Sequence, residues 1–280
     1  RQPRYVIANT STEARVALES IGFPCVIKAP DSSGSRGVVK LNSIEDFHYG
    51  YSQAKLYSGS GLIIVEEFIE GTEIGAQTFS EDGECIYCLI HNDSLSEGEF
   101  MVPVGHSYPL SDPLIDQQKV TQEISKALKA LDLRNGPSNV DLIVSNDGIP
   151  YIIEIGARAG ATCLPELTSL HTGFDWTKMI IMNSLGKKQR NMAPTFKPCA
   201  ALILQSPKDG IFVGYQVSFS RHEYKDRLVS MEVTSRPGDS VNVLRKGTDR
   251  IGKVIVNGVT SLEAEQIAKK IVNKILIEVK

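Results

Sequence analysis

The sequence predicts an α+β fold with a large alternating part and a smaller β-rich part. In the first part of the 280 residues, short apolar runs alternate with segments of helical period. Two pairs of apolar runs flank tight turns that contain Asp-Gly, which is typical of β-hairpins. Beyond about residue 198 the chain reads as short strands between Gly and Pro turns, followed by a final helix.

Each element of the first part has a local signal. A helix begins at Thr10, Ser11 or Thr12 and ends at Gly22, and Ser43 with Asp46 forms a capping-box pattern for the next helix. Further helices are predicted over Asp116–Leu131, Cys163–Leu170 and Asp175–Leu185. The predicted strands are Arg4–Ala8, Phe23–Ala29, Val38–Leu41, Leu62–Phe68, Thr72–Phe79, Cys85–His91, Asn139–Val144 and Pro150–Ile155.

Two further segments bear on the organisation of the chain. Residues 92–113 are polar and have no clear period, so we expect a loop long enough to suggest a functional role. The basic and polar segment Gly186–Pro198 is the best candidate for a boundary. We therefore predict a first domain over residues 1–198 and a second, β-rich domain over residues 199–280.

Composition excludes several classes of protein. The net charge is −3 with no basic stripe, which argues against a nucleic-acid partner. No apolar run approaches the roughly 18–20 residues of a membrane span, so no membrane partner is expected. Five scattered cysteines predict a reduced, cytoplasmic protein, and the CxxC spacing of Cys85 and Cys88 fits a strand better than a metal site. Because the chain begins with Arg, we expect it to be processed, truncated or incompletely observed.

The second predicted hairpin carries the most informative pair of residues. With its turn centred between Asp147 and Gly148, Asp141 lies opposite Glu154 and Arg158 shares their face. Cβ atoms of such partners are about 4.5–5.5 Å apart, so two carboxylates there repel each other. A magnesium ion between them would turn the repulsion into binding. A solvent-facing ribbon with incidental charges is the alternative.

A second candidate site follows the strand Phe23–Ala29. Lys28 closes this apolar strand, and a buried strand rarely ends in Lys without a partner. The backbone N–H groups of the small-residue loop that follows can surround a phosphate, although the loop matches neither the P-loop nor the dinucleotide motif. Its candidate contacts are Ser32, Ser33, Gly34, Ser35 and Gly37. A plain surface loop is the alternative.

A third candidate site lies where the strand Leu62–Phe68 ends. The backbone groups of this segment suit the edge of an adenine, and the residues concerned are Glu66, Glu67, Phe68 and Ile69. Glu73 follows at a distance that suits a ribose hydroxyl. Acidic residues at a strand end are common, so this segment alone is weak support for a ligand.

In this order and spacing, the three segments resemble the ATP-grasp superfamily over about residues 1–185. Residues 199–280 resemble the C-terminal β-rich domain of L-amino-acid ligases and biotin-carboxylase-like proteins. The turns that carry this second resemblance are Ser206–Gly210, Pro237–Asp239 and Arg250–Ile255. The resemblance implies an ATP-grasp fold, with a nucleotide-binding subdomain over about residues 1–70 and a metal-binding, catalytic subdomain over about residues 71–198.

The resemblance also implies roles at the nucleotide. Lys28 would contact the phosphates of ATP, and residues 32–37 would fold over them. The segment Glu66–Ile69 would hold adenine, and Glu73 would hold ribose. His106, in the predicted loop, is a secondary candidate for contact with phosphate or a substrate carboxylate, and the alternative is a solvated loop histidine.

At the metal, the resemblance implies that Asp141 and Glu154 bind one or two magnesium ions, which manganese can replace. Arg158 would stabilise the transferring phosphoryl group and is, with Lys28, an expected catalytic residue. The family usually has Asn two residues after the metal-binding Glu, whereas this chain has Gly156. Asn139 is expected opposite Gly156 and is our candidate for the missing amide ligand.

The expected activity is that of a carboxylate–amine ligase that uses ATP to join small carboxylate and amine substrates, such as amino acids. Relatives also carry a pre-grasp domain before the first strand, so we expect that domain on a missing segment or on a companion chain, and a homodimer is the other expected assembly. An enzyme acting on another carboxylate, of the biotin-carboxylase, carbamoyl-phosphate or purine-pathway kind, remains an alternative. A non-catalytic ATP-binding subunit is a further one.

Overall fold

The computed structural model describes residues 1–34, 36–96, 102–188 and 192–280. Its strands are β1 (Tyr5–Ala8), β2 (Cys25–Lys28), β3 (Val38–Leu41), β4 (Ile63–Glu67), β5 (Gly71–Glu81), β6 (Glu84–Leu95), β7 (Pro103–Tyr108), β8 (Gly136–Ser145), β9 (Pro150–Gly156), β10 (Cys199–Leu204), β11 (Gly210–Val217), β12 (Leu228–Val233), β13 (Ser240–Val241), β14 (Gly252–Asn257) and β15 (Ile275–Val279). Its helices are α1 (Ser11–Ile21), α2 (Phe47–Tyr57), α3 (Gln117–Ala130), α4 (Leu164–Thr172), α5 (Trp176–Ser184) and α6 (Ser261–Val272). The mixed α+β fold that the sequence predicts is confirmed.

A small antiparallel sheet with the order β1-β4-β2-β3 forms the first layer of the molecule. Alternation divides its residues between two faces. One face packs on α1 and α2 and buries residues such as Ile27, Leu41 and Val65, which are inaccessible to solvent. The other face has no helix against it among the described residues and leaves Tyr5, Ile7 and Val38 about half exposed. This open face is where Lys28 lies.

A larger antiparallel sheet of eight strands has the order β12-β14-β10-β7-β6-β5-β8-β9. One face packs against α3 through an apolar cluster that includes Ile74, Val140 and Leu142. Helices α4 and α5 cover part of the opposite face, where Phe79 and Trp176 pack edge to face. The rest of that opposite face carries polar residues, and it is the part that matters for function.

The predicted boundary between residues 198 and 199 divides the eight-stranded sheet between β7 and β10, which are neighbours in it. Strand β10 follows the boundary directly and pairs with β7 and β14. Helix α6 packs across β10, β14 and β7, and a three-stranded sheet of order β13-β11-β15 lies beside it in the same apolar cluster. The division into two domains therefore stays a prediction, because the main sheet continues across it.

One expected loop is wrong. Within residues 92–113, the structure extends β6 to Leu95 and forms β7, which pairs with β6 through Asp93 and His106. Residues 97–101 of that segment lie outside the described residues. No described helix combines the length and apolar character that crossing a membrane requires.

Candidate functional site

Buried apolar and polar side chains alternate along strand β8, which supplies part of the candidate site. Val140, Leu142 and Val144 are buried beneath α3. Because successive side chains of a strand point to opposite faces, Asn139 and Asp141 lie on the face that α3 does not cover. The buried apolar residues therefore fix the register that presents the two polar ones.

The predicted pairing of Asp141 with Glu154 is confirmed, as is that of Asn139 with Gly156. The predicted turn geometry is wrong, because Leu142 pairs with Ile152 and the register shifts by one residue between Asp141 and Leu142. A bulge in β9 accounts for the shift, since bulges insert one unpaired residue into a ladder. The carboxylates face each other because of this bulge.

Acidic residues concentrate on this face of the large sheet. Loss of solvation, together with the negative charges of Asp93 and Glu154, raises the pKa of Asp141 to about 6. Restricted hydration also raises the pKa of Glu73 to about 7, together with the charges of Asp93 and Asp141, although the side chain remains accessible. Among the described residues, no lysine or arginine forms an ion pair with Glu73, Asp141 or Glu154. The site thus favours a cation.

A chain of hydrogen bonds, which sequence reasoning missed, orients Asp141. The Gly160 backbone N–H donates to Gln77 Oε1 (2.9 Å), Gln77 Nε2 donates to Asn139 Oδ1 (2.6 Å), and Asn139 Nδ2 donates to Asp141 Oδ1 (2.9 Å). Because a backbone N–H can only donate, it fixes the direction of both side-chain amides. Gln77 is inaccessible to solvent. The amide oxygen of Asn139, the atom that would bind a metal, is therefore already used as an acceptor.

Arg158 follows the end of β9 and is exposed. Its backbone N–H donates to the Gly156 carbonyl (2.8 Å), and its Nη1 donates to the Ala159 carbonyl (2.9 Å). A Cβ at Gly156 would lie 3.6 Å from the guanidinium carbon, in ordinary contact. The chain then passes through Thr162, whose φ of 51° is strained for a β-branched residue. The segment that carries Arg158 is short, and two local hydrogen bonds made by Arg158 hold it.

A buried trio of polar residues lies beside the acidic face. His91 and Asp93 are on β6, and His106 is on β7 opposite Asp93. The side chain of His106 is 6% exposed, so it is not the solvated loop residue considered from the sequence. Burial would raise the pKa of Asp93, but the charge of His91 and a hydrogen bond with His106 lower it below its usual range. His91 was not predicted from the sequence, since His106, which completes the trio, comes from another strand.

On the small sheet, Lys28 and Glu66 point to the open face and contact each other. Lys28 Nζ donates to both carboxylate oxygens of Glu66, at 2.8 and 2.9 Å. Glu66 pairs with Val26, so it is the diagonal neighbour of Lys28 on the same face. The partner that a lysine at the end of a buried strand requires is therefore Glu66.

The small-residue loop connects β2 to β3. Arg36 donates from Nε to the Ser33 carbonyl (3.0 Å) and from Nη2 to Ser33 Oγ (3.2 Å). Gly34 and Gly37 have φ of 67° and 70°, which favours glycine at both positions. Ser32 joins the strand end to the loop, and Ser35 lies outside the described residues. The role of this loop at phosphate remains a prediction.

The predicted adenine segment leaves β4 at its end. Glu67 is engaged with Arg4, which donates from Nε at 3.2 Å and holds the pKa of Glu67 below its usual value. Phe68 lies under Lys40, whose Nζ is 3.7 Å from the ring centre, and Ile69 is buried. The carboxylate of Glu67 is thus used within the protein, which leaves the backbone of this segment as the part available to a base.

Comparison with known proteins identifies the family. A model described as an ATP-grasp domain matches residues 21–166, and one described as L-amino acid ligase C-terminal domain 2 matches residues 221–280. Among curated proteins, the chain is 31% identical over 166 residues to D-alanine–D-alanine ligase of Desulforudis audaxviator, covering 57% of this chain and 53% of that protein. It is also 25% identical over 281 residues to an uncharacterized protein of Sinorhizobium fredii, covering 98% and 57%.

Solved structures agree on the fold. L-amino acid ligase from Bacillus licheniformis has a TM-score of 0.80 at 20% identity, and the match covers all of this chain and 68% of that chain. Phosphoribosylglycinamide synthetase from Anaerococcus prevotii has a TM-score of 0.74 at 29% identity, covering all of this chain and 70% of that one. The chain spans little more than half the length of the two curated relatives. With an ATP-grasp domain matched over half of its residues, the chain belongs to the ATP-grasp family.

Proposed function

We propose that the protein is an ATP-dependent carboxylate–amine ligase that works through an acyl phosphate and releases ADP and phosphate. The observation that carries the proposal is the pair Asp141 and Glu154, opposite each other on an acidic sheet face, with Arg158 just beyond the end of the same hairpin. The donor set consists of carboxylate oxygens, which suits magnesium. The raised pKa of Asp141 supports the same conclusion, because a divalent cation would relieve the repulsion.

The chemistry requires positioning and charge neutralisation rather than a nucleophilic side chain. A carboxylate oxygen of the substrate attacks the γ-phosphorus of ATP, the bond between that phosphorus and the bridging oxygen breaks, and ADP leaves. The amine nitrogen then attacks the acyl carbon, an amide bond forms, inorganic phosphate leaves, and the nitrogen loses a proton.

Residues of the small sheet bind the nucleotide phosphates, and residues of the large sheet act on the transferred group. Lys28, fixed by Glu66, binds the phosphates together with the loop over residues 32–37. Arg158 binds the acyl phosphate and the oxyanion of the tetrahedral intermediate. Magnesium supplies positive charge at the phosphates when Asp141 and Glu154 hold it.

Three further assignments complete the site. Residues 66–69 hold adenine through their backbone, and Glu73 accepts from ribose. Asn139 stays the predicted amide ligand, although its hydrogen bonds support a role in orienting Asp141. His106 stays a predicted contact for phosphate or a substrate carboxylate, and its burial means that it acts only where the substrate reaches beneath the surface.

The second candidate function is the same phosphoryl transfer to a different carboxylate. It is favoured by 29% identity over 205 residues to the large chain of carbamoyl phosphate synthase of Pseudothermotoga lettingae, and by the similarity to phosphoribosylglycinamide synthetase. Because the chain spans only 18% of that large chain, the whole activity does not transfer directly. Assembly as a homodimer, or with a companion chain that supplies a pre-grasp domain, is also proposed.

The test is ADP release by the intact gene product with magnesium and ATP, with and without a pool of amino acids and small carboxylates. Release that depends on the pool, with a product mass equal to two components less water, is the expected result and names the substrates. Release with bicarbonate or a purine-pathway acid alone would favour the second candidate. Tight nucleotide binding without turnover in every pool would favour a non-catalytic subunit or an activity that requires the companion chain.

Two arginine variants sharpen this test. Arg158→Ala is expected to abolish product formation while the affinity for ATP stays nearly unchanged, since the guanidinium acts on the transferred group. Arg134→Ala removes an exposed arginine outside the proposed site and should leave turnover unchanged. Wild-type turnover in Arg158→Ala would rule out the assigned role.

A further inference from the structure

We propose that His91, Asp93 and His106 form a binding site for a divalent transition-metal ion such as zinc or cobalt, separate from the magnesium pair. The three residues meet because His91 and Asp93 are two positions apart on β6, and His106 faces Asp93 from β7. One ligand atom from each lies within 4.8 Å of the other two. Two imidazoles and one carboxylate are a recurrent ligand set for such ions.

The ligand atoms lie close enough to one another to share one ion. Asp93 Oδ1 is 2.6 Å from His106 Nδ1 and 2.8 Å from His91 Nδ1. Nitrogen and oxygen ligands lie about 2.1 Å from such a metal, which puts two ligands of a tetrahedral ion about 3.4 Å apart. The side chains must therefore move apart by roughly 0.6–0.8 Å when an ion binds.

An unsatisfied nitrogen gives a second, independent reason. Although His91 Nδ1 is 2.8 Å from the carboxylate of Asp93, it has no hydrogen-bond partner among the described residues. The side chain of His91 is 1% exposed, so water does not solvate it. A buried polar atom without a partner destabilises the folded protein. An imidazole nitrogen beside a carboxylate oxygen can share an ion with that oxygen.

The fold also holds the His91 ring in place. A Cβ added at Gly75 would lie 2.2 Å from His91 Cε1 and 3.0 Å from Nδ1, so the ring occupies the space that any other residue at position 75 would fill. On its other side, His91 packs edge to face against Tyr108 and His106. The ring is thus fixed before an ion arrives, which lowers the cost of binding.

The chemistry separates this site from the magnesium pair. Imidazole nitrogens suit zinc and cobalt, whereas magnesium prefers oxygen ligands. A metal here would give His106 a different role from the predicted anion contact, and it does not require the proposed ligase activity to be correct.

The test is a cobalt titration of the intact gene product in saturating magnesium and ADP, followed by the visible absorption of bound Co²⁺. One equivalent is expected to bind. His91→Gln and His106→Gln should each weaken that binding by more than about 100-fold, beyond the range for residues that only orient a ligand. His48→Gln changes an exposed histidine and should leave the absorption unchanged.

A measurement on the unmodified protein keeps the test valid if the variants fail to fold. With histidine labelled by ¹⁵N, zinc should shift the Nδ1 resonances of two imidazoles, and those shifts should persist in saturating magnesium. Absence of cobalt binding under magnesium saturation, equal binding by His91→Gln, or unchanged imidazole resonances would each overturn the proposal.

Discussion

Lys28 and Glu66 form an ion pair that serves both stability and the proposed chemistry. The two side chains are only 16% and 12% exposed. Lys28→Met leaves the Glu66 carboxylate largely desolvated and without a partner, so the free energy of unfolding should fall by about 1–3 kcal/mol. Adding Glu66→Gln removes the uncompensated charge and should restore most of that loss in urea denaturation.

Turnover separates the two roles of Lys28. Neither Lys28→Met nor the double variant should release ADP, because both lack the ammonium that binds phosphate. If the double variant recovered ADP release along with stability, Lys28 would act only as the partner of Glu66.

Protonation of the acidic face gives a prediction about pH. Raised pKa values of about 6 for Asp141 and about 7 for Glu73 mean that the folded protein binds protons more tightly than the unfolded chain does. Between about pH 4 and pH 7 the contribution of these two carboxylates to the stability of the metal-free protein should therefore fall as the pH rises, because the unfolded state releases these protons first. Magnesium requires the ionised carboxylates, so its stabilising effect should grow across the same window.

The measurement is the melting temperature with and without magnesium. The increase caused by magnesium should be small near about pH 5 and complete near about pH 8. Asp141→Asn should abolish that increase at every pH and weaken the pH dependence of the metal-free protein. A magnesium effect that did not vary with pH would contradict the raised pKa values.

At the scale of elements, Gly75 on β5 leaves the space that the His91 ring of β6 occupies. Gly75→Ala would force a Cβ to within 2.2 Å of the His91 ring, which is itself buried. The expected loss of stability is about 1–3 kcal/mol, typical of overpacking. Gly214→Ala is the matched control, because this strand glycine on β11 has open space around it.

Gly214→Ala should change the free energy of unfolding by no more than about 0.5 kcal/mol, as surface substitutions usually do. Both variants are compared by urea denaturation. In Gly75→Ala the bound cobalt spectrum should also weaken, since the ring that supplies one ligand must move. Equal stability of the two variants would show that the His91 ring has room to shift.

Local signals made most of the elements predictable. Thr10 caps α1 and Asp116 caps α3, each by accepting from the first helical turn, and both are visible as sequence patterns. Strand β7 was not, because its residues show no apolar alternation and one of its two partners, β10, lies about ninety residues further on. Short non-local strands of this kind depend on tertiary pairing rather than on intrinsic preference.

The candidate site was predictable where its residues belong to neighbouring elements of the sequence. Asp141 and Glu154 belong to one hairpin, so their pairing followed from the turn, even though the bulge that completes the register did not. Gln77 and His91 could not be predicted, since Gly160, which donates to Gln77, and His106, which completes the trio of His91, come from elsewhere in the chain. A hydrogen-bond chain across three segments has no local pattern.

At the scale of the whole molecule, the eight-stranded sheet joins the two parts that the sequence separates. Strand β10 covers the outer edge of β7, pairing Cys199 with Tyr108 and Ala201 with His106. Tyr108, Cys199 and Ala201 share an apolar cluster with Trp176. The part after residue 198 thus supplies strands β10, β12 and β14 of the sheet that carries the candidate site.

A fragment over residues 1–198 should therefore not fold as the intact chain does. Loss of β10 leaves an unpaired strand edge and uncovers the ring of Tyr108, which is inaccessible in the whole protein, so aggregation is expected. Circular dichroism melting should show no cooperative transition of the fragment, and gel filtration should show no monomeric peak. Co-expression of residues 199–280 should rescue solubility, because that piece restores both β10 and α6. A soluble, cooperatively melting fragment that binds nucleotide would instead establish the two parts as independent domains, since the edge of β7 would then need no cover.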